Sequence, residues 1–187
     1  MKRSTAAAVG VLALAAALAG CGGRDAREAT PATPTTVRAA APPKPVPAPV
    51  SKPVLTLKGA VTNGNDGAAV VFDLRALDAM ATATTQTHEP FVKKDITFTG
   101  VPMADLFARA GIAPDATKVR MHALDDYQVE LRVADLADRG VLLATKADGA
   151  AIPVGKGGPI RLIFPPDSTV GKNRDLWIWS IDSMTVL

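Results

Sequence analysis

The residues best placed for chemistry lie in one short segment, Gly155–Phe164, which reads GKGGPIRLIF. Lys156 and Arg161 supply two cations, and Gly157 and Gly158 between them permit backbone conformations with positive φ. Backbone amides beside such cations can hold an anion. The same residues also suit a plain turn, which the following proline stiffens before a strand begins. The sequence leaves both interpretations open.

A nucleotide-binding phosphate loop is not predicted for this segment. Such a loop carries its lysine after the last glycine and opens a helix, whereas Lys156 precedes two glycines and an apolar run typical of a strand follows. Arg161 lies inside that apolar run, and a buried guanidinium needs an acceptor. The acceptor is either a carboxylate, for which Asp175 and Asp182 are candidates, or a ligand that Arg161 reaches together with Lys156.

Few other residues are candidates for a site. His88 and His122 are the only histidines, and each could act as a base or a metal ligand. No acidic residue stands at metal-binding spacing from either one. A hydrogen-bonded or solvent-facing role is therefore favoured for both. Asp125–Tyr127 is predicted to be a polar hairpin tip. Trp177 and Trp179 would point the same way on a strand, which favours a core position over a flat binding surface. No serine-hydrolase, metalloprotease or dinucleotide motif occurs, so no catalytic residue is predicted.

The sequence around these residues predicts many short strands and a few helices. Asp73 is predicted to cap a short helix, and a second helix is predicted to begin at Pro102 and to stop at Gly111. Strand character is found in VLTLKGAV, ATATTQT, DITFTG, KVRMHALD, YQVELRV, IRLIF and the closing LWIWSIDSMTVL. The pattern predicts a β-rich α+β domain.

The order of these segments resembles a known family. ITFTGVPMADLFARAGI, ALDDYQVELRVADL, VLLATKADGAAIPVGKGGPIRLIFP and a tryptophan-bearing last strand follow one another as in the oxidoreductase molybdopterin-binding domain of the sulfite oxidase type, and above all as in its small, stand-alone secreted members. The resemblance covers about Leu55–Leu187. It implies the β-rich α+β fold of that domain and a pterin–molybdenum site.

The resemblance also implies which residues would bind the cofactor. GKGGPIR is similar to a pterin-contacting HGxPxR pattern, with Lys156 in place of the histidine. The family ligates molybdenum through a cysteine thiolate, but the segment that should bring it, ATATTQTHEPFVKKDITFTG, holds threonines and His88. The cofactor-binding candidates are therefore Lys156, Gly157, Gly158, Arg161 and His88. No metal ligand is predicted, and whether molybdopterin is bound stays open.

The N-terminus has the pattern of an export signal. A basic head is followed by an apolar run that is too short to span a bilayer comfortably and then by LAGC. These last four residues resemble the bacterial lipoprotein signal, so Met1–Gly20 is predicted to be a signal peptide and Cys21 to carry the lipid anchor. Cys21 is the only cysteine, which excludes an intramolecular disulfide. The predicted location is the cell envelope, facing the periplasm or the outside of the cytoplasmic membrane.

Composition divides the remainder into a linker and a domain. Cys21–Pro53 is rich in proline, alanine and threonine, so a disordered spacer is predicted. Val54–Leu187 contains 14 Lys and Arg against 16 Asp and Glu over 134 residues, and this balance offers no basic stripe for nucleic acid.

Two functions are compatible with the sequence. The first is a membrane-anchored, non-catalytic or cofactor-altered module that binds a small anionic ligand or an envelope protein. The second is a molybdopterin-dependent oxidoreductase in which another residue or water completes the metal. The missing thiolate favours the first.

Overall fold

The computed structural model describes residues 43–187. The predicted signal peptide Met1–Gly20, the predicted lipidation site Cys21 and the linker up to residue 42 lie outside the described residues. Among the described residues, no helix has both the length and the apolar character needed to cross a membrane.

Ten strands and three short helices make up the described part of the chain. The strands are β1 (Pro53–Gly59), β2 (Val70–Asp73), β3 (Ala83–Glu89), β4 (Lys94–Pro102), β5 (Lys118–Ala123), β6 (Gln128–Arg132), β7 (Leu142–Ala147), β8 (Ala150–Ala151), β9 (Arg161–Ile163) and β10 (Ile181–Val186). The helices are α1 (Leu74–Met80), α2 (Met103–Ala110) and α3 (Val133–Leu136). Single 3₁₀ turns occupy Val154–Lys156, Val170–Lys172 and Arg174–Leu176.

The strands form two five-stranded sheets. The first has the order β2-β1-β10-β5-β6, in which only β1 and β10 run parallel, and the second has the order β3-β4-β7-β8 with β9 also paired to β7. In β5 the apolar residues Val119, Met121 and Ala123 are buried, while the residues between them face outward. The predicted β-rich α+β class is confirmed.

The helix ends follow from local chemistry. The Asp73 side chain accepts a hydrogen bond from the Ala76 amide and caps α1, as predicted. Helix α2 buries Met103, Leu106, Phe107 and Ala110 and stops where Gly111 adopts φ 65°, a left-handed conformation that favours glycine. Both helices pack into the single apolar core that the sheets share.

The closing strand is shorter than predicted. Only Ile181–Val186 pairs as a strand, and Trp177 and Trp179 lie on the segment that follows the turn Arg174–Leu176. Ser180 has φ 47°, which breaks an extended conformation before pairing begins. The two tryptophans are therefore not alternate residues of one strand.

The end of the predicted linker Cys21–Pro53 packs on the domain in the structure. Residues Pro43–Lys52, which we call the strap, lie against the domain, and Pro53 already belongs to β1. Val46 in the strap is buried with the core. Asn63 and Asn65 donate side-chain hydrogen bonds of 2.7 and 2.8 Å to strap carbonyls.

The strap is also held at its other end by Asp73. One oxygen of this carboxylate caps α1, and the other accepts hydrogen bonds from the Val50 amide, the Ser51 amide and the Ser51 hydroxyl at 2.9–3.1 Å. These hydrogen bonds lower the pKa of Asp73, with the Ala76 amide as the largest cause. Proline-rich sequence indicated disorder, but these polar partners fix the segment.

Candidate functional site

The loop between β8 and β9 is shaped by backbone packing. Val154–Lys156 forms a 3₁₀ turn, Gly157 follows with φ 84°, and the Gly158–Pro159 peptide bond is cis. A Cβ on Gly157 would lie 2.9 Å from the Trp179 ring, and a Cβ on Gly158 would overlap the carbonyl of Ile152. Both predicted cofactor-binding glycines therefore have a structural requirement of their own.

Arg161, the first residue of β9, forms a buried ion pair. Its Nη2 donates to Glu89 Oε1 at 2.8 Å, and the two side chains are 4% and 0% exposed. Burial lowers the pKa of Arg161, and the charge and hydrogen bond of Glu89 oppose that shift. The predicted candidates Asp175 and Asp182 are wrong, because neither is its partner.

Glu89 is the residue that sequence reasoning missed. It ends β3, and its second oxygen accepts the backbone amides of Phe91 and Val92 at 2.9 and 2.7 Å. The sequence offered only a weak indication of this role. Glu89 is one of only two glutamates after the linker, but it stands in a run of polar residues.

The Arg161 guanidinium is further enclosed by aromatic rings. Its central carbon lies 4.2 Å from the centroid of the Trp179 ring and 5.4 Å from that of Phe98, a cation–π arrangement. Arg161 Nε and Trp179 Nε1 are buried without a hydrogen-bond partner among the described residues.

Beside Arg161 lies a cleft of about 530 Å³. Its walls are largely apolar, with Ile96, Phe98, Ile152, Pro153 and Trp179 among them. The charged residues along it are Lys94, Asp148, Lys156 and Arg161. The structure thus brings Lys156 and Arg161 to one cleft, and it also gives Arg161 an internal carboxylate.

His88 lies apart from this cleft. Its Nδ1 is 2.8 Å from Asp95, and both side chains are about two-thirds exposed. His122 is likewise satisfied: its Nδ1 lies 2.8 Å from Asp182 and its Nε2 3.3 Å from Asp126. The hydrogen bond with Asp182 is the largest cause that raises the pKa of His122. Neither histidine lies along the cleft that Arg161 shares with Lys156.

The comparisons with known proteins decide the family. The model described as "Oxidoreductase molybdopterin binding domain" matches residues 73–185. The chain belongs to this family. No curated protein sequence matches the chain significantly.

Among solved structures, this molybdopterin-binding domain is similar to the sulfane dehydrogenase SoxCD from Paracoccus pantotrophus. The two share 18% sequence identity with a TM-score of 0.55. The match covers 71% of this chain and 37% of that chain, so the protein spans little more than a third of the SoxCD chain. At this identity the likeness establishes the fold, which is that of the sulfite-oxidase-type molybdopterin-binding domain.

The residues of this molybdopterin-binding domain do not fit a thiolate-ligated molybdenum. The only cysteine of the chain, Cys21, precedes the residues 73–185 that match the family model. Residues 43–187 contain no group of three or more His, Cys, Asp and Glu side chains that could hold a metal ion. Arg161, which the resemblance predicted to contact a pterin, is paired with Glu89.

Proposed function

We propose that the protein is a lipid-anchored, non-catalytic binding module of the cell envelope, which uses a molybdopterin-binding fold to hold a small ligand. The observation that carries the proposal is the buried Glu89–Arg161 ion pair. An arginine that contacts a cofactor phosphate needs its charge and its donors for that anion. Here Glu89 neutralises that charge and accepts from Nη2, and its backbone hydrogen bonds make it part of the fold.

The ligand is a small molecule with an apolar body and one anionic group. The cleft beside Arg161 has a volume in the usual range for ligand sites and mostly apolar walls. Lys94 and Lys156 are exposed along it and outweigh Asp148 in charge. Because Arg161 is paired, the two lysines supply the charge that attracts the anion.

The location in the cell envelope rests on the N-terminal sequence. The LAGC motif and the single cysteine support a lipid on Cys21. The proline-rich segment that follows is a spacer in composition, and it would hold the domain on the periplasmic or outer side of the membrane.

Metal analysis tests the non-catalytic part of the proposal. The full chain is produced in a host that makes molybdopterin, and molybdenum is measured per folded protein. We expect far less than one atom per chain. A stoichiometric content would contradict the proposal and support the oxidoreductase alternative.

An anionic aromatic probe tests the ligand class. We expect 8-anilinonaphthalene-1-sulfonate to bind the full chain saturably, and Lys156→Gln and Lys94→Gln each to weaken binding several-fold. Lys58→Gln is the matched control, because Lys58 is an exposed lysine of β1 that does not line the cleft. Equal affinities of wild type and all three variants for the probe would contradict the proposal that the ligand carries an anionic group.

A further inference from the structure

Half of the aromatic residues of this chain line one small pocket. The chain has five Phe, two Trp and one Tyr. Both tryptophans, the single tyrosine and Phe91 surround a cavity of about 270 Å³, which we call the aromatic pocket. Its walls come from the β3–β4 turn, the β5–β6 turn and the segment before β10. Such a concentration of scarce residues needs an explanation beyond apolar packing, because Phe91 and Tyr127 are about half exposed.

The rings are fixed by specific contacts. Trp177 Nε1 donates to the carbonyl of Gly171 at 2.8 Å, and the Tyr127 hydroxyl donates to the carbonyl of Asp175 at 2.7 Å. Phe91 meets Trp179 edge to face, with centroids 5.2 Å apart and an interplanar angle of 81°. Phe91 and Tyr127 are 50% and 44% exposed. The pocket is therefore pre-formed and open to solvent.

The charges around the aromatic pocket favour a cation. Asp125 and Asp175 line it, and Arg174 is its single basic residue. Aromatic faces carry negative potential and attract cations. Within residues 43–187, the cation–π contacts are those of Arg161 with Phe98 and Trp179, so Arg174 does not lie over any of the four rings.

We propose that the aromatic pocket binds a small organic cation with a methylated ammonium group. A methylated ammonium is recognised by ring faces rather than by hydrogen-bond acceptors, whereas a primary ammonium is strongly hydrated. The site is separate from the proposed anion cleft, although Trp179 contributes to both. The proposal therefore goes beyond the proposed function and does not depend on it.

The test compares choline with its neutral isostere 3,3-dimethyl-1-butanol in titrations of the full chain, followed by tryptophan fluorescence and calorimetry. We expect saturable binding of choline and binding of the neutral isostere at least tenfold weaker. Glycerophosphocholine forms the second arm: affinity equal to or above that of choline assigns the group to a lipid head group, and weaker affinity assigns it to a free small cation.

Variants locate the site. Phe91→Leu keeps an apolar side chain but removes the ring, and should weaken choline binding about three- to thirty-fold. Asp175→Asn should also weaken it, and Arg174→Gln should strengthen it. Leu124→Ala is the matched control, since Leu124 is an exposed apolar residue outside the pocket lining. Lys58→Gln, at an exposed lysine that lines neither the cleft nor the pocket, should also leave choline affinity unchanged. Equal binding of choline and the isostere, or unchanged affinity in Phe91→Leu, would overturn the proposal.

Discussion

At the scale of single residues, Glu89 joins three parts of the molecule with one carboxylate. It neutralises Arg161 on β9 and fixes the amides of Phe91 and Val92 in the β3–β4 turn. Val92 lines the cleft, and Phe91 lines the aromatic pocket. The same ion pair that occupies Arg161 therefore also sets the position of two residues that face candidate ligands.

We expect Glu89→Gln to lower the free energy of unfolding by about 3–5 kcal/mol, because it leaves a buried guanidinium without its counter-charge. Chemical denaturation of the full chain measures this loss. Glu130→Gln is the control: Glu130 pairs with Lys118 and Arg120 at the surface, where ion pairs contribute little. If both variants lose the same stability, the buried pair does not have the role assigned to it.

The sequence predicted part of this arrangement. Arg161 among apolar neighbours indicated correctly that its guanidinium needs an acceptor. The partner could not be predicted, because Glu89 lies 72 residues away and the pair depends on how β4 and β7 place β3 and β9 in one sheet. The aromatic pocket was missed for the same reason, since its four rings come from three separate segments.

At the scale of elements, the strap differs most from what its sequence predicted. Composition predicted a spacer up to Pro53, and proline does lack the amides that would pair it in a sheet. The strap is held instead by side chains of the domain, from Asn63, Asn65 and Asp73. Asp73 was correctly predicted as a helix cap, but a single carboxylate has two oxygens, and its second contact is invisible to a local pattern.

Deleting Pro43–Lys52 should lower the melting temperature by several degrees, because it exposes the core around Val46 and removes the partners of Asp73. Thermal unfolding of this variant is compared with that of a deletion of the same length, residues 24–33. If the strap deletion lowers the melting temperature no more than the control deletion does, the strap does not stabilise the domain.

The same comparison has a defined pH dependence. The pKa of Asp73 is lowered in the folded state, so its contribution to stability is present above the unfolded pKa of about 4 and is lost as pH falls through the folded value. The difference in melting temperature between wild type and the strap deletion should therefore shrink below about pH 4.

At the scale of the whole molecule, a single substitution tests the proposed lipid anchor. Because Cys21 is the only cysteine, Cys21→Ala should leave an uncleaved or released form, while wild type fractionates with membranes. Immunoblots of fractionated cells measure how the protein partitions between membrane and soluble fractions. The electrophoretic mobility on the same blots distinguishes the uncleaved from the cleaved form. Identical partitioning and mobility of the two would rule out the lipid anchor.

The strap and the aromatic pocket lie near opposite ends of β3. The strap begins at Pro43, which lines a groove together with Thr82, directly before β3. Phe91 of the aromatic pocket lies just beyond the other end of β3, and its seven residues span about 23 Å. The described part of the chain therefore begins near one end of β3, and the aromatic pocket opens near the other end. A molecule bound in this pocket would contact Phe91 without contacting Pro43.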